Sequence, residues 1–255
     1  MTSPAATIPA NLAPNLIPLW QVIIGITHIP HVVWVVVGGQ MVLAHALLQD
    51  TVPPAITEDA DAVVDLRTPR KPMHVIVAHL IEQGFTHAGM SPDGIGHRYI
   101  KPGVPVALTF DLLAPEGLGA RTDKTTTPPA RTIEVPGGTQ ALRRLIKVKV
   151  TAGGETADVP LPSLLAAVVL KGAAVGSPQI RPSMKGKHLR DLAFLCSLVQ
   201  DPFSMRQEMD LKDLSRVRAA HHLHDASYAS WRLLPPDAAT RGHQAFRILT
   251  ADRTP

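Results

Sequence analysis

The chain has 255 residues, and its 25 Lys and Arg against 21 Asp and Glu give a formal net charge of +4. A hydrophobic content of 45% with 18% charged residues is typical of a globular protein with a buried core. Aromatic residues make up only 4% of the chain, which argues against an extended base-stacking platform. The single cysteine, Cys196, excludes an internal disulfide framework and a zinc site built from several cysteines. Its apolar neighbours predict that Cys196 is a small buried residue. A chain with one cysteine suits a reducing compartment.

The N-terminal residues 1–15 are rich in Pro, Ala and Asn, which predicts a flexible arm. The apolar span from Leu16 to Leu48 is interrupted by proline, histidine and glycine residues, and no basic segment precedes it. It therefore predicts a short helix, a turn, a buried strand over 33–37 and a helix over 40–49, rather than a membrane span or a signal peptide. We expect a cytoplasmic protein with no membrane partner.

A candidate site for chemistry begins where the first buried strand runs into Gly38 and Gly39. A second strand is predicted over 59–66, and its Asp59 and Asp61 would face the same side because residues i and i+2 of a strand do so. A turn without side chains lets a phosphate chain approach closely. This layout predicts a site for Mg²⁺, or Mn²⁺, and a nucleoside triphosphate.

A third carboxylate follows on a strand predicted over 104–113, after a helix over 74–84 and a strand over 97–100. Nucleotidyl transfer commonly uses two Mg²⁺ ions about 3.5–4 Å apart, and Asp111 would complete their carboxylate ligands and help to deprotonate the attacking hydroxyl. An Asp-x-Asp pair alone also occurs by chance on exposed turns, which leaves solvated carboxylates as the alternative.

The expected fold class is α+β, with a mixed α/β domain over 16–160 and a helical domain over 161–255. The other predicted elements are a long loop over 115–129, strands over 131–135 and 145–151, helices over 164–174 and 187–200, and a helix or helix pair over 211–232.

Basic residues form two groups that suit a polyanionic partner, although most such groups are simply solvated. The candidate RNA-binding residues are Arg143, Arg144, Lys147, Lys185, Lys187 and Arg190. His97 and Arg98 could orient a phosphate or pair with an acidic neighbour. His221, His222 and His224 lack the partners and spacing that a zinc site needs.

The order of strand, Gly-Gly, helix, Thr-x-Asp-x-Asp and a strand-borne Asp resembles the polymerase-beta-like nucleotidyltransferase superfamily. The second half of the chain is similar to the AbiEii/MenT-type nucleotidyltransferase toxins. Those proteins carry a helix ending in a lysine, here Leu164–Lys171, and then a lysine-rich segment leading to an aspartate, here Lys185–Asp191. The resemblance covers about residues 20–200.

This resemblance implies roles for eight residues. Gly38, Gly39 and Thr57 would bind the triphosphate, and Asp59, Asp61 and Asp111 would bind the metal. Lys171 would contact the nucleotide phosphates, and Asp191 would belong to the last active-site motif. On sequence alone, Lys171 could instead be a solvated lysine at a helix end, and Asp191 could pair with Lys187 on its own helix.

The chain departs from the family pattern at three points. Ala55 stands where the family often has arginine, and Gly39 stands where it often has serine. The spacing from Gly39 to Asp59 is also longer than is usual.

The resemblance implies a Mg²⁺-dependent enzyme that transfers a nucleoside monophosphate from an NTP to an acceptor hydroxyl. The implied acceptor is the 3′ end of tRNA, the implied role is the toxin of a toxin–antitoxin system, and the implied partner is an antitoxin protein or a regulatory kinase. Two alternatives are a transferase acting on a small molecule, as aminoglycoside nucleotidyltransferases do, or on a protein side chain. A third is a non-catalytic nucleotide- or RNA-binding relic of the fold.

Overall fold

A computed structural model describes residues 4–68, 71–103 and 106–252, and the described residues form a mixed α+β fold. The strands are β1 (Ala5–Thr7), β2 (Trp34–Val37), β3 (Asp59–Val64), β4 (Thr86–His87), β5 (Arg98–Lys101), β6 (Leu108–Pro115), β7 (Glu134–Val135), β8 (Leu145–Ala152) and β9 (Glu155–Pro162). The helices are α1 (Leu16–Thr27), α2 (Gly38–Leu47), α3 (Pro72–Glu82), α4 (Gly138–Arg143), α5 (Leu164–Gly176), α6 (Pro182–Ser197), α7 (Pro202–Glu208), α8 (Leu211–Arg218), α9 (Ala229–Arg232) and α10 (Pro236–Thr250), with a 3₁₀ helix at His221–His224. The predicted α+β class is confirmed.

The larger sheet has the strand order β2-β3-β6-β5-β4 and is mixed, because β3 and β6 are parallel while the other neighbours in this order are antiparallel. Its register aligns Val37 of β2 with Asp61 of β3, Asp61 with Asp111 of β6, and Asp111 with Arg98 of β5. Asp61, Asp111 and Arg98 therefore lie side by side across the sheet, next to the end of β2 that leads into Gly38.

The smaller sheet has the order β1-β8-β9 and corrects two expectations. Ala5–Thr7 pairs in parallel with β8, so the flexible arm predicted for residues 1–15 is wrong for this segment, while residues 1–3 lie outside the described residues. Strand β9 was not predicted because Pro160 and Pro162 disfavour a strand; the sheet tolerates them because β9 lies at its edge.

The two faces of the larger sheet are covered by different helices. Leu19 and Trp20 of α1 and Ile76 of α3 share a core with Ala60 and Ala62. On the other face, Val63 of β3 and Leu113 of β6 share a second core with apolar residues of α5 and α6, among them Leu165, Val168, Leu192 and Leu195. Since alternate strand residues share a face, Asp59, Asp61 and Asp111 point toward the side that α5 and α6 cover.

Helix α2 is bonded to the smaller sheet through a buried histidine. His45 Nε2 lies 3.0 Å from the carbonyl oxygen of Pro162 and donates to it. Burial lowers the pKa of His45 to about 4, although the bond to Pro162 opposes that change. The ring is therefore neutral in the folded protein at neutral pH.

This neutral histidine should make the protein acid-sensitive. As pH falls below about 6.5, the unfolded chain binds a proton at His45 that the folded chain does not bind until about pH 4. We expect His45 to cost the wild type about 2 to 3 kcal/mol of unfolding free energy between pH 7.5 and 4.5. Urea unfolding at both pH values should show a smaller loss for His45→Gln, and an equal loss in the two proteins would contradict the assignment.

No helix in the described part of the chain is both long and apolar enough to cross a membrane.

Candidate active site

Gly38 and Gly39, predicted as a turn, are the first two residues of α2 and lie directly against the side chains of Asp61 and Thr57. Gly38 has a φ of +67°, and a Cβ on it would lie 1.8 Å from Oδ2 of Asp61. A Cβ on Gly39 would lie 2.1 Å from Oγ1 of Thr57. The absence of side chains at the two glycines therefore makes room for the side chains of Asp61 and Thr57. The start of α2 is thereby held beside one candidate metal ligand and one candidate triphosphate-binding residue.

A buried amide that sequence reasoning missed connects the same elements. Gln40 is 1% exposed; its Oε1 accepts a hydrogen bond from Trp20 Nε1 at 2.8 Å. Its Nε2 donates to the carbonyl oxygens of Thr57 at 2.7 Å and Asp59 at 3.2 Å. Gln40 therefore holds the backbone on which the carboxylates stand. Its signal in the sequence is a lone amide directly after the glycine pair, in a helix whose other polar side chain is His45.

The three predicted carboxylates influence one another electrostatically. Asp59 and Asp61 alternate with the buried Ala60 along β3, and Asp61 lies beside Asp111 in the neighbouring strand. Burial, together with the charges of Asp59 and Asp111, raises the pKa of Asp61 to about 7. A bound cation would oppose this effect by stabilising the ionised form.

Asp111 is held by an arginine from the adjacent strand. Arg98 donates from Nε to Oδ1 at 2.8 Å and from Nη2 to Oδ2 at 2.7 Å. His97 Nε2 lies 4.0 Å from the same Oδ2, and burial lowers the pKa of His97. Of the two roles considered for Arg98, the structure has the pairing with an acidic neighbour.

Lys171 and Asp191, twenty residues apart, form a buried ion pair. Nζ of Lys171 donates to Oδ2 of Asp191 at 2.7 Å, and the side chains are 5% and 8% exposed. Burial alone would raise the pKa of Asp191, but the charge and hydrogen bond of Lys171 outweigh it and hold the pKa below its ordinary value. The alternatives of a solvated Lys171 and of an Asp191–Lys187 pair are both wrong, and α5 continues past Lys171 to Gly176.

Helix α6 brings further basic side chains to this pair and to β3. Nζ of Lys187 lies 4.0 Å from Oδ2 of Asp59, and Nε of Arg190 lies 3.6 Å from Oδ1 of Asp191. Burial and the nearby Lys171 lower the pKa of His188 to about 4, so its ring is neutral at neutral pH. The site therefore lies between the strand aspartates and the first half of α6.

The candidate RNA-binding residues are found in two separate places. Lys185, Lys187 and Arg190 lie on α6, whereas Arg143 ends α4 and Lys147 lies exposed on β8. Arg144 is already engaged, since its Nη1 lies 2.6 Å from Oδ2 of the buried Asp213 and its Nη2 donates to the carbonyl oxygen of Glu208. Arg144 consequently offers less free charge to RNA than the others do.

The donor chemistry of the strand aspartates suits Mg²⁺, but their arrangement fits it only in part. Asp59 and Asp61 supply hard oxygen ligands from one strand face. Both oxygens of Asp111 already accept bonds from Arg98, so a cation at this carboxylate would lie beside that guanidinium or replace it. Within the described residues, no three His, Cys, Asp or Glu side chains converge as a ready-made metal site.

No model of a known protein family matches the sequence, and no curated protein does. A proposal about function consequently depends on the residues and their arrangement.

Proposed function

We propose that this protein is a polymerase-beta-like nucleotidyltransferase that transfers a nucleoside monophosphate from an NTP to an acceptor hydroxyl. The observation that carries the proposal is the close contact between the Gly38-Gly39 turn and the side chains of Asp61 and Thr57. A turn of this kind, with paired carboxylates on the adjoining strand, combines backbone amides for phosphate with oxygen ligands for a divalent cation.

In the proposed reaction the acceptor oxygen attacks the α-phosphorus, an O–P bond forms, and the bond to the bridging oxygen of pyrophosphate breaks. Pyrophosphate leaves with the electron pair, and the hydroxyl proton passes to a carboxylate or to solvent. Mg²⁺, when bound, would neutralise phosphate charge and make the attacking hydroxyl more acidic. Asp59 and Asp61 would hold it, and Asp111 would join them if Arg98 withdrew.

The acceptor that we propose is RNA, with the 3′ end of tRNA as the first candidate and a toxin–antitoxin system as the biological setting. This part depends on the resemblance of Leu164–Asp191 to the AbiEii/MenT-type toxins. Half-buried basic residues beside the candidate site and exposed ones on β8 support a polyanionic acceptor. An antitoxin protein or a kinase would be the regulatory partner.

The direct test incubates the full chain with each α-labelled NTP, Mg²⁺ and total RNA, and then resolves RNA, protein and small molecules. We expect label in the tRNA fraction with the wild type and a loss of at least about 100-fold with Asp59→Ala. Asp158→Ala is the matched control, since Asp158 is an exposed aspartate on strand β9. Label on protein or on a small molecule would reject the RNA acceptor, and no labelled product would reject the enzyme.

One observation favours a second candidate, the non-catalytic relic of the fold. Both carboxylate oxygens of Asp111 accept hydrogen bonds from Arg98. Among the described residues, no three carboxylates converge into a metal site. A relic would bind nucleotide or RNA without releasing pyrophosphate. A pyrophosphate-release assay on the wild type with total RNA separates the two candidates.

A further inference from the structure

Two lysines lie near the candidate carboxylates, and they differ in how much charge each can offer to a ligand. Lys171 is 5% exposed, and its Nζ is bonded to Asp191 at 2.7 Å. Within the described residues the other two N–H groups of this ammonium make no hydrogen bond, but its charge is already balanced by Asp191, and a phosphate would have to enter the buried space beside this pair to reach it. Lys171 is therefore poorly placed for the phosphate-binding role that the resemblance implies.

Lys187 is the more available of the two. Its side chain is 28% exposed, and its Nζ lies 4.0 Å from Oδ2 of Asp59, which is beyond hydrogen-bonding distance. Among the residues that the structure describes, this ammonium donates no hydrogen bond, so its three N–H groups remain for a ligand or solvent.

Helix α6 explains why the two lysines have different surroundings. Lys187 and Asp191 are four residues apart and share one face of the helix. Asp191, at the inner end of that face, is bonded to Lys171 of α5, while Lys187 lies one turn nearer the helix N-terminus and reaches β3. The buried pair thus sets the position of α6, and this position presents Lys187 to Asp59.

A third cation near the strand aspartates, Arg98, is already engaged. From the neighbouring strand β5 it donates two hydrogen bonds to Asp111. A triphosphate that binds beside Gly38, Gly39 and Asp59 would bring several negative charges close to the ammonium of Lys187, whose N–H groups are available to donate hydrogen bonds.

We propose that Lys187 contacts the phosphate chain of the bound nucleotide, and that Lys171 is a positioning residue that holds Asp191 and α6 against α5. The inference rests on the proposed function and deepens it. It assigns Lys187 to nucleotide binding instead of RNA binding. It assigns Lys171 a structural role without contact to phosphate.

The test is calorimetric binding of each NTP and of inorganic triphosphate, with Mg²⁺, to the full chain. We expect Lys187→Met to weaken both ligands by about 10- to 100-fold without changing Tm, and Lys187→Arg to restore most of the affinity. Lys212→Met removes the same charge from an exposed position on α8 and should bind both ligands as the wild type does. The double variant Lys171→Met with Asp191→Leu, which replaces the buried pair by apolar groups, should bind within about threefold of the wild type.

Every other outcome contradicts either this inference or the proposed function. Wild-type affinity in Lys187→Met would overturn the inference, and so would weakened RNA binding with normal triphosphate binding. Loss of triphosphate binding by a double variant that unfolds at the wild-type Tm, so that α6 is still held against α5, would return the phosphate contact to Lys171 and also overturn it. A wild type that binds no NTP would instead reject the proposed function itself.

Discussion

Replacing Gly38 with alanine is expected to reduce nucleotidyl transfer by about 100-fold or more, because a misplacement of about 1 Å at a reacting centre has an effect of that size. The added Cβ would lie 1.8 Å from Oδ2 of Asp61, so either the carboxylate or the start of α2 must move. The backbone at Gly38 also has a φ of +67°, which costs an L-residue about 1–2 kcal/mol of unfolding free energy. Rate and urea unfolding, measured on the same preparations, check both effects.

Gly154→Ala is the matched control for this experiment. Gly154 has a φ of +86° in the β8–β9 turn, but a Cβ there meets nothing within 4 Å. It should therefore lose a similar amount of stability through its backbone conformation and keep its transfer rate. Equal rates for the two alanine variants would show that the contact between Gly38 and Asp61 has no part in the reaction.

Breaking the Lys171–Asp191 pair should cause a large loss of stability. Lys171→Met leaves Asp191 charged, 8% exposed and without its 2.7 Å hydrogen bond. We expect this variant to lose about 3–5 kcal/mol of unfolding free energy, as is typical when one partner of a buried ion pair is removed. Denaturant unfolding at neutral pH gives the value directly.

The control for this prediction replaces both partners. Lys171→Met together with Asp191→Leu leaves no buried charge, and its stability should lie within about 1–2 kcal/mol of the wild type. Lys187→Met, which removes a partly exposed charge, should change the unfolding free energy by less than about 1 kcal/mol. A single Lys171→Met variant as stable as the wild type would mean that the pair does not hold α6 in place.

Much of the sheet was predictable because its signals are local. The apolar run before Gly38, the strand beginning at Asp59 and the strand carrying Asp111 are marked by composition and by glycine or proline breaks, and the structure has β2, β3 and β6 there. Parts of the helical region were harder. The segment 211–232, predicted as a helix or helix pair, consists of α8, a 3₁₀ helix and α9, because apolar spacing does not reveal where a helix is interrupted.

The partners of the charged residues could not be predicted, since they depend on packing between distant elements. Sequence spacing offered Lys187 as a helical partner for Asp191, yet the packing of α5 against α6 pairs Asp191 with Lys171. Only the strand register shows that Arg98 lies beside Asp111 on the neighbouring strand, where its guanidinium donates hydrogen bonds to that carboxylate. Gln40 belongs to the same class, because its role depends on Trp20 and Thr57 in two other elements.

The short strand β1 has a consequence for how the protein must be handled. Backbone hydrogen bonds join it to β8 at both ends. The backbone N–H of Lys149 donates to the carbonyl oxygen of Pro4, and the backbone N–H of Ile8 donates to that of Thr151. A fragment that begins after Ile8 would expose this edge of β8 as a row of unpaired backbone groups, a ready template for association with another chain. We expect such a fragment to self-associate in size-exclusion chromatography, where Lys147 and Lys149 would be the remaining side chains of β8 that oppose it by charge.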